Sequence, residues 1–311
     1  MALAGQPASI EPVTETQFEL REDAAAVAAA QPSTSVDRAA RVVVITPAKR
    51  WPRLDLRELW HYRELLGTFA WRDIKVRYKQ TFVGIAWALI QPFVTMVIFT
   101  IIFGKFAKFP SNGLPYPIFT YSALLPWTYF ASALALASAS LVANVNLVTK
   151  VYFPRLLLPL AATCVPVIDF LLSISVLVGM MAWFSVWPGP AVVLAPLFLV
   201  LAAVTAIGFG LFLSAVNVRY RDVPYAIPFV IQIWLYVSGV IFPISSLPTW
   251  EQWVLSLNPM TAVIAGFRWC VVAAPAPNPG QTLVSVVAAL VFFVLGLAYF
   301  RRSEPRFADT I

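Results

Sequence analysis

From residue 82 onward the chain is a succession of long apolar runs separated by short polar ones. A helix crossing a membrane needs about 20 mainly apolar residues, because the hydrocarbon core is ~30 Å thick. Stretches at about 82–104, 117–141, 160–186, 192–216, 225–244 and 282–300 reach that length and predict six transmembrane helices. A further apolar stretch, 250–274, is broken by Asn258-Pro259, Gly266 and Arg268. Neither half is long enough to cross, which predicts a re-entrant helical pair between spans five and six. Irregular backbone at that depth survives only under cover of protein or beside a water-filled cavity.

The segment 55–80 has a different rhythm. Arg57, His61, Glu64, Thr68, Arg72, Lys75 and Lys79 recur at steps of three and four, and Leu56, Leu59, Trp60, Leu66, Phe69, Ala70 and Ile74 fill the other side. That spacing predicts an amphipathic helix, and its basic end and large aromatics suit a membrane interface. Residues 1–48 share neither pattern. They are rich in Ala, Glu, Gln, Ser and Thr and contain no basic stretch followed by an apolar core, so a cytoplasmic tail is expected there and not a signal peptide. A short helix at 23–30 is compatible with the same residues. The expected fold is therefore an all-α integral membrane domain over 49–311, with an amphipathic interface helix ahead of its first span.

Composition supports this class. Charged residues make up 12% of the chain, hydrophobic ones 60%, and mean hydropathy is +0.78. A soluble domain carries about 25% charge to keep its surface wet, so here much of the surface faces lipid. The positions of the cations set the orientation. Lys49, Arg50, Arg53, Arg57, Arg63, Arg72, Lys75, Arg77 and Lys79 precede span one, Lys150 and Arg155 follow span two, Arg219 and Arg221 follow span four, and Arg301, Arg302 and Arg306 follow span six. The alternate loops hold only Lys105, Lys108 and Arg268. Lys and Arg mark cytoplasmic loops, so both termini are expected in the cytoplasm. No motif for reading nucleic acid accompanies the net charge of +7.

The chemistry is sparse. His61 is the sole histidine, and Cys164 and Cys270 are far apart, so neither a zinc site nor a disulfide framework is indicated. The one Gly-Lys pair, Gly104-Lys105, lacks the flanks of a phosphate-binding loop, so any ATP-driven work has to come from a partner. A membrane-embedded glycosyl- or acyltransferase would need clustered acids or histidines, and the outer loops offer only Glu251. Asp169 lies within span three, where a carboxylate needs a partner or a task. It either serves a site or pairs with Arg155 or an interfacial donor. Trp127 and Tyr129 in span two, and Trp234 and Tyr236 in span five, come about ten residues into their helices, ~15 Å from the surface at ~1.5 Å per residue. Such rings, with Trp87 in span one as a further pathway candidate, either line a pathway for an amphipathic cargo or pack between helices. Two cytoplasmic loops, 144–155 and 217–224, offer basic and aromatic side chains for contact, or are plain connectors.

Several runs together resemble the ABC-2 type polysaccharide export permeases. They are RDIKVRYKQTFVGIAWALIQP at 72–92, VYFPRL at 151–156, NVRYRD at 217–222, LNPM at 257–260 with GFRW at 266–269, and FRRSE at 300–304 with Phe307, Ala308, Asp309 and Ile311. The resemblance implies a homodimer of twelve spans around a channel in the bacterial inner membrane, with two cytoplasmic ATPase subunits that hold ATP and Mg beneath it. The implied cargo is a lipid-linked polysaccharide of O-antigen or capsule type; teichoic acid exporters are close relatives. By the same resemblance, Asn146, Leu147, Lys150, Tyr152, Phe153 and Arg155 would couple to the ATPase, with Arg219, Arg221 and Asp222 as a second cytoplasmic contact. Arg72, Asp73, Lys75, Arg77 and Tyr78 would belong to an interface or gate helix. Asn258, Pro259, Arg268 and Trp269 would belong to an outer gate over 247–274.

Overall fold

In the computed structural model, residues 60–79, 82–220 and 222–307 are described. The tail 1–48, where a short helix was expected at 23–30, the start of the amphipathic segment, Arg221 and residues 308–311 lie outside them. Among the described residues all regular structure is helical.

Helix α1 (Arg63–Tyr78) leads to α2 (Phe82–Phe99), which continues as a π-helical stretch, Thr100–Phe106. Span two is α3 (Tyr116–Ala143), followed by the short α4 (Val145–Lys150) and by α5 (Leu157–Phe184). Next come α6 (Ala195–Arg219), α7 (Val223–Tyr236), the short α8 (Thr249–Leu255), α9 (Pro259–Val272) and α10 (Pro279–Ser303). Among the described residues, five spans, Ala86–Phe106, Tyr116–Ala143, Leu157–Phe184, Pro190–Arg219 and Pro279–Arg306, are long and apolar enough to cross a membrane. The chain is thus a multi-pass membrane protein. The α8–α9 pair, bent by 106°, reaches the same length only if taken as one span.

Span five departs from expectation. The apolar run continues to 244, but α7 stops at Tyr236 and covers only about 21 Å at ~1.5 Å per residue. Gly239 then takes φ +76°, a left-handed conformation that ends the helix and that glycine adopts without steric cost.

Helix α3 is the axis of the bundle and packs on α5, α6 and α9. Its Phe119, Tyr121, Leu124, Leu125 and Phe130 are all buried. Between membrane helices, association comes from close packing and polar contacts, since lipid tails are as apolar as the side chains. Both devices are present. Helices α6 and α10 approach until a Cβ at Gly296 would sit 2.0 Å from the Gly208 carbonyl oxygen. Asn217 on α6 donates through Nδ2 to the Ser138 carbonyl on α3 at 3.1 Å, and the Tyr121 hydroxyl donates to the Ser173 carbonyl on α5 at 3.3 Å.

Helices α2 and α7 are the least enclosed. Trp87, Ile90, Phe93, Val94, Val97 and Ile98 on α2, and Tyr225, Phe229, Val230, Ile233 and Tyr236 on α7, are exposed.

Candidate functional site

At one end of the bundle the chain leaves α3 at Asn144, forms the short α4, and turns through 151–156 into α5. Val148 on α4 is buried in an apolar cluster with Phe69 of α1, Phe153, Leu156, Phe300 and Phe307. The residues expected to meet an ATPase therefore divide. Asn146, Lys150 and Tyr152 point outward, Tyr152 with 74% of its surface free, and Leu147 is half-buried. Phe153 is turned inward at 6% exposure, edge-on to Phe69 with ring centroids 5.5 Å apart, so it anchors the element and offers no surface to a partner. Arg155 is half-buried and bonded to Glu304 at the end of α10.

Among its described residues, the 217–224 loop forms no helix of its own. Arg219 is the last residue of α6, its guanidinium 5.4 Å from the ring of Tyr220, and Asp222 directly precedes α7 without a side-chain capping bond.

Helix α1 packs along α5, and two polar contacts fix it. Arg72 Nη2 donates to Asn144 Oδ1 at 2.9 Å, beside its own ion pair with Asp73 at 2.8 Å. Asn144 in turn donates to the Ser140 carbonyl at 2.8 Å, which joins α1 to the hinge between α3 and α4. At its other end, Arg77 pairs with Asp169 at 2.6 Å, and the Tyr78 hydroxyl donates to the same carboxylate. Burial, reinforced by this carboxylate, pushes the Tyr78 phenol far above its ordinary pKa, so it remains a donor. Asp169 is therefore an ion-paired anchor, with its partners on α1 and not at Arg155. The expected polar stripe is not a simple solvent face either: Arg72 is half-buried, while Trp60, Trp71 and Val76 are exposed. Lys75 lies outward, its ammonium 5.4 Å from the Trp71 ring.

The deep aromatics also divide. Trp127 is 3% exposed and Tyr129 is buried, each enclosed by this chain alone. Their rings pack on Phe130 and Phe170, so in one subunit they have no surface to give a passing cargo. Trp234 is wedged between Phe130 and Phe209, with centroids at 5.0 and 4.8 Å. Trp87 and Tyr236 are exposed on the two least enclosed helices.

Near the start of α3, the non-helical backbone 237–243 is held by side chains of the α8–α9 pair. Trp234 Nε1 donates to Asn258 Oδ1 at 2.9 Å, and Asn258 Nδ2 reaches Ser238 Oγ at 2.9 Å and the Val237 carbonyl at 3.2 Å. Asn258 Oδ1 also caps α9 through the Met260 N–H at 3.0 Å, next to Pro259 in the first turn. Arg268 is 4% exposed and is no outer-loop charge. Its Nε, Nη1 and Nη2 each donate at 3.1 Å, to the carbonyls of Phe119, Gly239 and Val240, and its guanidinium lies 3.5 Å from the Phe119 ring centroid. Freed backbone acceptors inside a membrane protein must find donors, and a planar guanidinium supplies several at once. Beside it lies a cavity of about 520 Å³ with neutral polar groups in its wall, among them Ser256, Thr261, Gln281 and Ser285. Trp269 is half-buried against the main core.

Two contributors to these contacts, Asn144 and Glu304, were not singled out from the sequence. Each stood inside a recognised run or loop, but its partner is distant along the chain.

Residues 64–272 match the ABC-2 type transporter family, which takes in every element from α1 to α9. The chain belongs to that family. Among curated proteins it is similar to the O-antigen export system permease protein RfbA of Myxococcus xanthus, at 24% identity over 82% of this chain and 98% of that protein. The O-antigen export system permease protein RfbA of Klebsiella pneumoniae is likewise 24% identical, over 80% of this ABC-2 chain and 95% of its own. The polysialic acid transport protein KpsM of Escherichia coli is 22% identical, over 75% and 91%.

Proposed function

We propose that this chain is the membrane-spanning permease subunit of an ATP-driven exporter that moves lipid-linked polysaccharide, of O-antigen or capsule type, across the bacterial inner membrane. The observation that carries the reading is the nearly end-to-end similarity to O-antigen export permeases, over 98% and 95% of those proteins. Two copies form the pathway, and ATP and Mg bind to two cytoplasmic ATPase chains. The open apolar faces of α2 and α7 support pairing, since a lone subunit leaves Trp87 and Tyr236 uncovered within them. The distribution of Lys and Arg supports cytoplasmic termini.

Force enters at α4, through the outward Asn146, Lys150 and Tyr152. Closure of the ATPases drives the permease only as far as ATP favours the closed over the open state. Buried Val148 and Phe153, together with the Arg72–Asn144 bond, carry α1 along with α4. Helix α1 lies in the membrane interface as the gate helix. Its motion repositions α2, and α2 and α7, with Pro92 and Pro228 inside them, are the helices that bend. On the outer side the α8–α9 pair is re-entrant and forms the exit gate, hinged at Asn258-Pro259.

A deletion strain tests the reading. Loss of the gene should abolish surface glycan and leave its lipid-linked form inside the cell, and the intact gene should restore export only alongside its ATPase. Normal surface glycan in the deletion strain, or loss of a polyol-phosphate polymer in its place, would contradict it.

A further inference from the structure

The C-terminal end of α10 closes on the stretch that joins α4 to α5. Glu304 opens a one-turn 3₁₀ segment, Glu304–Arg306, directly after α10. Its carboxylate accepts from the Arg155 backbone N–H at 3.3 Å and from Arg301 Nη1 at 3.1 Å, and Arg155 Nη1 donates to the Glu304 carbonyl at 2.5 Å. The Arg155 N–H stands just ahead of α5, where helix geometry leaves donors without an intrahelical acceptor. A carboxylate there both accepts a hydrogen bond and complements the positive end of the helix dipole. Phe307 completes the grip. It is 2% exposed, edge-on to Phe300 at 5.3 Å, in the same apolar cluster as Val148 and Phe153.

This arrangement has a mechanical consequence. A connector such as 151–156 has two soft dihedrals per residue, so an unbraced loop absorbs displacement by bending. Pro154 removes some of that freedom by fixing its own φ. The Glu304 contacts remove more, because they fix Arg155 by both its backbone and its side chain.

We propose that Glu304 is a positioning residue for energy coupling: through Arg155 it braces the 151–156 connector, so that displacement of α4 moves the cytoplasmic end of α5. The proposal rests on the permease reading above and adds to it a brace contributed by the C-terminal segment.

The test uses the complete permease–ATPase complex in proteoliposomes, with ATP hydrolysis and export of lipid-linked glycan measured on the same preparation. With Glu304→Gln, ATPase binding and hydrolysis should remain near wild type while export per ATP falls about tenfold, because the neutral amide is a weaker acceptor for the Arg155 N–H and for Arg301 than the carboxylate. Glu304→Asp should recover part of the loss. A double variant, Arg155→Cys with Glu304→Cys, should be uncoupled until a short bifunctional thiol reagent joins the two sites, and coupled again afterwards. Unchanged export per ATP in Glu304→Gln overturns the proposal. So does a parallel fall in ATPase binding, hydrolysis and export, which would mark the residue as merely structural. A wild-type complex without ATP-dependent export would defeat the permease reading itself, and the proposal with it.

Discussion

Arg268 shows how much depends on one side chain in this fold. It supplies donors to three backbone carbonyls, two of them on the non-helical segment after α7. A buried carbonyl left without a donor costs roughly 1–3 kcal/mol, so Arg268→Leu should prevent recovery of a monodisperse protein in detergent. Arg268→Lys should lower the thermal midpoint less, because one ammonium keeps the charge but cannot reproduce the fork. Recovery of Arg268→Leu at wild-type level would show that the guanidinium is dispensable. Sequence position alone placed this arginine in an outer loop, because its acceptors are backbone atoms on α3 and after α7, and no side-chain pattern marks them. Glycine gives a second residue-scale prediction. Gly296→Ala forces a Cβ onto the Gly208 carbonyl, and overpacking of this kind costs typically about 1–3 kcal/mol. Gly179→Ala meets nothing within 4 Å and should leave the melting curve unchanged. Equal behaviour of the two variants would mean that α6 and α10 do not cross at these glycines.

Helices and their junctions were legible to different degrees. Spans one to four and six could be read from length and apolarity, with ends displaced by a few residues. The end of α7 could not, because the residues after Tyr236 are as apolar as those before it. There the chain is turned by Gly239 and held by Asn258 and Arg268, which approach from α9. Asn258→Ala should therefore raise hydrogen exchange at 237–241 while leaving α3 protected. Unchanged exchange there would remove Asn258 from its holding role. The position of α1 was legible only in part. Its helical period could be read, but Asp169 as its anchor could not, since a lone acid in a span names no partner. Tyr78→Phe combined with Asp169→Asn removes both the phenol donor and the carboxylate charge that hold the end of α1. The pair should make a cysteine at Lys79 more reactive to thiol reagents, and wild-type reactivity would show that α1 is held by its apolar contacts alone.

For the whole molecule, the asymmetry of Lys and Arg carries the orientation. A cysteine at Ser111, in the α2–α3 connection, should be labelled by an impermeant thiol reagent applied from outside, and protection would reverse the orientation. The proposed coupling loop, 144–155, was legible as a basic, aromatic segment. Which of its side chains face outward was not, because Phe153 and Tyr152 are adjacent aromatics in sequence that the apolar cluster sorts to opposite sides. The claim that joins these scales is that the bundle carries lipid-linked glycan while a separate chain consumes ATP. Reconstituted transport measures this most directly. Purified permease and ATPase are placed in liposomes containing labelled lipid-linked glycan, and the glycan exposed to an impermeant glycosidase on the far side is followed over time. ATP should produce exposure only when both chains are present, and exposure should stop when the ATPase cannot hydrolyse. Exposure without ATP, exposure with the permease alone, or none with the complete complex would contradict it.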